Sequence, residues 1–188
     1  MIVQTALKEW SAVVEAIASG EQILLVRKGG IRDPQGAFTL RHREFLLYPT
    51  QEHQKERSIR PEFREHFRES LRTAAEPTDV VLRIYAGVAF SREIRDPEAL
   101  TGLEKYHIWM PDFFRDRMQY RPQALPSVLV VRAYRFKRPI LRPVLPEYAG
   151  CKSWLSLKEP VSLKGAEPVL DNRRFLSALE EITSKLGN

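Results

Sequence analysis

The chain has a single cysteine, Cys151, in 188 residues. One thiol cannot close an intramolecular disulfide or build a thiolate metal site alone, which excludes disulfide-stapled scaffolds and cysteine-based zinc modules. No apolar run approaches the roughly 18 residues of a membrane-spanning helix. The opening MIVQTALKEW has neither a basic leader nor a long apolar core, so no secretory signal is expected there. Internal repeats, low-complexity tracts and an interdomain linker are also missing. These absences predict one globular domain over residues 1–188, without membrane contact, in the cytoplasm.

What is present suits such a domain. Hydrophobic residues make up 43% and charged residues 29%, inside the range of soluble globular proteins and enough for a core. Leu7, Trp10, Val13, Val14 and Ile17 recur at helical spacing and Gly20 follows, which predicts a helix over 5–18. Residues 22–28 read as a short buried strand ending at Gly29-Gly30, and Asp33-Pro34-Gln35-Gly36 as a turn. Residues 45–48 read as a strand stopped by Pro49. A helix is expected from Pro61, with proline in its first turn. Strands are expected over 80–90 and 127–136, with helical stretches at 97–106 and 112–118 between them. Trp154-Leu155 suggests a last short strand, and Asp171 caps a closing helix. Strands mixed with helices predict an α/β or α+β domain, a mixed β-sheet flanked by helices.

The charge is unevenly placed. The chain carries a net +6, yet residues 115–142 hold eight basic residues and one acid, Asp116. The basic residues are Arg115, Arg117, Arg121, Arg132, Arg135, Lys137, Arg138 and Arg142, with Tyr120 and Tyr134 interleaved. Such a concentration favours a phosphate-rich partner, because each neutralised phosphate releases counterions. Arginine outnumbers lysine 21 to 9, and its planar fork of donors suits phosphate and stacks on aromatic rings.

Two further stretches carry possible chemistry. Arg27-Lys28-Gly29-Gly30 sets two cations beside glycine-exposed backbone N–H groups, an arrangement that can hold a phosphate. The polar block from His42 to His66 contains three of the four histidines (His42, His53, His66) and several glutamates. Within it, Tyr48 to Gln54 follows a strand directly, where ligand groups collect. His53 there is placed as a general base or metal ligand oriented by Glu52, with Glu56 and Glu65 as further carboxylates for a divalent ion. Arg64 and Arg68 alternate with those acids, which equally describes a solvated helix laced with ion pairs.

The segments ALKEWSAVVEAIASGEQILLVRKGGI, EFLLYPTQEHQ and YAGCKSWLSL resemble an uncharacterised bacterial family known only as a domain of unknown function. That resemblance implies membership and no activity. A fainter one is to Nudix hydrolases. Aligning Pro49 with the proline before their box sets Glu56, Arg64, Glu65 and Glu69 on motif positions. Against it, Thr50 and Leu71 stand for glycines, His66 and Arg72 for aliphatic residues, and Arg68 for a metal-binding glutamate. The Nudix likeness implies a Nudix-like fold and Mg²⁺ or Mn²⁺ held by carboxylates.

The leading expectation is binding of a phosphate-rich ligand, nucleic acid or nucleotide. It would use Arg27, Lys28, Arg115, Arg117, Arg121, Arg132, Arg135 and Arg138 on phosphates and Tyr134 on a base. The alternatives are a Mg²⁺- or Mn²⁺-dependent phosphohydrolase or nuclease using Glu52, His53, Glu56 and Glu65, and a protein-interaction domain for an acidic partner.

Overall fold

The computed structural model describes residues 1–29, 37–72, 78–120 and 122–187. The turn expected at 33–36, Gly30 and Arg121 lie outside them. The first element corrects the sequence reading: Ile2–Trp10 is a strand, β1, and the helix α1 occupies only Ser11–Ser19. β1 lies between two other strands with both faces covered near its end, so its apolar residues do not alternate and mimic a helical period. Gly20 closes α1 at φ +82°, a left-handed turn that suits glycine.

The other strands are β2 (Leu24–Arg27), β3 (Glu44–Thr50), β4 (Asp79–Glu93), β5 (Ser127–Pro143), β6 (Trp154–Ser162) and β7 (Ala166–Pro168). They form one mixed sheet in the order β2-β5-β4-β3-β1-β6, with β7 paired to β5. β1 and β3 run parallel, and the remaining pairs are antiparallel. The helices are α1, α2 (Arg64–Arg72), α3 (Pro111–Gln119) and α4 (Asn172–Leu186). Asp171 caps α4 by accepting the Arg174 N–H, as its position predicts.

Several boundaries differ from the sequence reading. Pro49 continues β3 rather than ending it, because β4 pairs with β3 only at Glu44–Leu46 and the missing N–H falls beyond that ladder. β5 likewise runs through Pro139 to Pro143. Residues 97–106 form only two short 3₁₀ turns.

The sheet buries both faces. Leu7, Phe45 and Leu47 belong to the core shared with the helices, whereas Ala6, Leu46 and Tyr48 belong to a second cluster with Leu155, Leu157 and Phe136. On β4, Leu82 and Ile84 are two apart yet join different clusters, and a register shift between them makes the flip. The sheet also curls until its outer strands approach one another. Arg27 at the end of β2 reaches Glu9 on β1 and Ser153 just before β6. Trp154 fills the seam, stacked on Phe38 at 5.8 Å and donating its indole N–H to the Thr39 carbonyl.

Candidate functional site

At this seam the C-terminal ends of β1, β2 and β3, the loop before β6 and helix α3 surround a cleft of about 480 Å³. Six cationic side chains line it (Lys8, Arg27, Lys28, Lys55, Arg117, Lys152) against three carboxylates, Glu9, Glu52 and Asp116. Trp10, Phe113 and Tyr120 supply its aromatic walls.

β1 delivers two buried charges side by side. Lys8 donates to the Gly150 carbonyl at 3.0 Å and lies 3.5 Å from Glu52. Glu9 accepts the Trp10 N–H at 2.8 Å through one oxygen and Arg27 at 2.9 Å through the other. The Glu9 and Arg27 side chains are only 5% and 13% exposed. Arg27 also donates to Ser153 Oγ at 3.2 Å, and its guanidinium lies 5.6 Å from the Phe38 ring.

Lys28 is 2% exposed and donates its ammonium to the Arg117 and Met118 carbonyls, the free acceptors at the end of α3. Burial and the neighbouring Arg117 charge lower its pKa. Arg117 lies over Phe113 at 4.9 Å. Burial, then the Arg27 charge, push its pKa down to about 10, with Glu9 the opposing carboxylate. Arg27, Lys28 and Arg117 are therefore cations held within each other's field.

The loop after β3 forms the other wall. Gln51 donates to the Ser70 carbonyl and Gln54 accepts the Ala12 N–H at 3.0 Å, tying the loop to α2 and α1. His53 has a left-handed backbone (φ +63°), uncommon for a residue with a side chain. Its Nε2 lies 3.3 Å from Cys151 Sγ.

Of the residues expected from sequence, Arg27, Lys28, Glu52, His53 and Arg117 converge on this cleft. The others among the described residues lie elsewhere. Glu56, on a 3₁₀ turn before α2, pairs with Arg68 at 3.1 Å, and Glu65 with Arg68 and Arg72, forming a solvent-facing ion-pair lattice along α2. His66 pairs with Glu21, and His42 packs edge-on against Trp154. Among the described residues, no group of three or more His, Cys, Asp or Glu side chains is arranged to hold a metal ion. Arg115 pairs with Asp112 on the outer face of α3. Arg132 holds α4 through Asn172 Oδ1 at 2.7 Å and the Phe175 ring at 4.7 Å. Tyr134 packs against Tyr85, Arg135 donates to the Ala18 carbonyl at the end of α1, and Arg138 is exposed on β5.

Sequence reasoning missed Lys8, Glu9, Lys55, Lys152 and Ser153 as cleft residues. The Lys8-Glu9 pair carries a signal, two charges inside an apolar stretch, but a helix over 5–18 leaves both off the face formed by Leu7, Trp10, Val13, Val14 and Ile17. No described helix is long and apolar enough to cross a membrane.

The fold is similar to ASCH from Zymomonas mobilis, at 13% identity over 94% of this chain and 93% of that one, with a TM-score of 0.45. A serine-to-alanine variant of the same Zymomonas mobilis protein aligns at 14% identity over 85% and 92% of the two chains, TM-score 0.45. No curated protein matches the sequence. A family model described as "Domain of unknown function (DUF1802)" matches residues 6–181.

Proposed function

The chain belongs to the DUF1802 family, and we propose that it binds the phosphate groups of a nucleotide or nucleic acid in the cleft between the approaching sheet edges. The observation that carries this reading is the trio Arg27, Lys28 and Arg117, in which the buried Glu9 pairs with Arg27 and opposes the field on Arg117. Like charges held together raise the free energy of the unliganded protein, and an anion with two or more charges relieves that cost. Lys55 and Lys152 at the rim add a field that steers anions inward. The aromatic walls offer faces for a ring to stack on.

The test is fluorescence anisotropy with short single- and double-stranded DNA and RNA at several salt concentrations, with pyrophosphate as competitor. Arg117→Gln is expected to weaken binding about ten-fold or more, the scale of one lost charge-assisted hydrogen bond. It also lowers the slope of log affinity on log salt by about one. Affinity and slope both unchanged in the variant would overturn the assignment.

A further inference from the structure

The imidazole of His53 and the thiol of Cys151 meet inside the phosphate cleft, with Nε2 3.3 Å from Sγ. They come from loops far apart in the chain, His53 from the one after β3 and Cys151 from the one before β6. Lys8 joins those loops. Its ammonium donates to the Gly150 carbonyl at 3.0 Å and to Glu52 at 3.5 Å, the residues just before Cys151 and just before His53. Gly150 turns at φ +87° and His53 itself at +63°, so both loops bend where the pair is presented. A left-handed backbone at a residue with a side chain carries a conformational cost, and it persists where surrounding contacts hold it. Here Gln54 ties the histidine's loop to α1 by accepting the Ala12 N–H. His53 is exposed and Cys151 half-buried, so a molecule in the cleft can reach both.

A thiol in contact with an imidazole nitrogen is a nucleophile with its general base in place. The base takes the proton as sulfur attacks and returns it to the leaving group. Arg27, Lys28 and Arg117 stand at the end of β2 and on α3, whereas the pair stands on the two loops. Cations on one wall and a nucleophile on another suit a substrate whose phosphate is anchored and then departs. We propose that Cys151, with His53 as its base, takes the acyl group from an acyl phosphate bound in this cleft. This inference rests on the phosphate-binding reading above. The sulfur attacks the carbonyl carbon while its proton passes to His53 Nε2. The carbon–oxygen bond to phosphate breaks, and the phosphate departs with that proton among cations that match its charge. Water then attacks the thioester and gives one proton to His53. The carbon–sulfur bond breaks, a carboxylic acid leaves, and the thiol recovers its proton from His53.

Incubation of the full chain with acetyl phosphate tests it, read by phosphate release and by peptide mass spectrometry after acid quenching. Phosphate release is expected, with acetyl trapped on Cys151, and saturating pyrophosphate is expected to slow both. Cys151→Ser is expected to bring release down to the background. His53→Asn is expected to slow it about a hundred-fold, the scale of general-base catalysis. Asparagine tolerates the left-handed backbone at this position, and His53→Gly repeats the test if that variant fails to fold. Release no faster than in Cys151→Ser, a phosphoryl group on the sulfur in place of acetyl, or a rate unchanged in a folded His53 variant would overturn the inference while leaving the phosphate site standing. Pyrophosphate that neither binds nor slows the reaction would instead remove the phosphate reading and this inference with it.

Discussion

Glu9 carries an unusual share of the cleft's electrostatics. It matches Arg27 inside the seam and opposes the cationic field on Arg117. Replacing it with glutamine leaves Arg27 charged and unmatched where water barely reaches, a change that costs about 3 kcal/mol or more for buried pairs. Urea denaturation of Glu9→Gln is expected to show that loss. Because an anion can take the carboxylate's place, saturating pyrophosphate should raise the variant's stability by more than it raises that of the unmodified protein. Equal gains would detach Glu9 from the anion site. Sequence made Glu52, His53 and Arg27 visible, since each stands at a strand end among polar neighbours. Glu9 and Lys8 stayed hidden because their burial comes from strands distant in the chain.

At the scale of the elements, the connection from β4 to α3 holds a buried histidine. His107 is 1% exposed, its Nδ1 accepts the Trp109 N–H at 3.3 Å, and its Nε2 has no partner among the described residues. Burial, then the Arg60 charge, hold its pKa at about 4. The folded-state pKa lies below the unfolded one, so the unfolded chain takes up the proton first as pH falls. Stability is therefore full above about pH 6.5 and is lost as pH falls toward 4, by up to about 3 kcal/mol. Denaturation midpoints across that window are expected to fall, and His107→Gln to flatten this part of the slope. An unchanged slope in the variant would assign the effect to other groups. Element type was legible where one face is buried or a cap stands out, as in α4 with Asp171. It was misread in β1, and β5 was cut short at its prolines, because strand pairing across the sheet overrides local pattern.

For the whole molecule, the basic stretch from 115 to 142 is distributed rather than gathered. Arg132 fastens α4, Arg135 caps α1, Lys137 pairs with Glu167, and Arg117 faces the cleft. Replacing Arg132, Arg135 and Arg138 together by glutamine is therefore expected to destabilise the fold, by about 2 kcal/mol from the lost carbonyl, amide and ring contacts. Pyrophosphate affinity should change less than two-fold, in contrast to Arg117→Gln. Thermal melting and the same competition assay separate the two effects. An affinity loss matching that of Arg117→Gln would extend the ligand surface onto β5.

The sequence by itself determined the class of fold, the excess of arginine and its concentration in one stretch, and from that charge came the expectation of an anionic partner. Those properties are composition and short-range periodicity, which survive without any knowledge of contacts. Which cations converge was decided only by the tertiary structure. The cleft exists because a sheet buried on both faces curls until β2 meets β1 and the loop before β6, joining Glu9, Arg27, Arg117 and Ser153 across more than a hundred residues. Charge adds along a chain, whereas a site depends on long-range packing that brings a few of those charges together and turns the rest to holding helices in place.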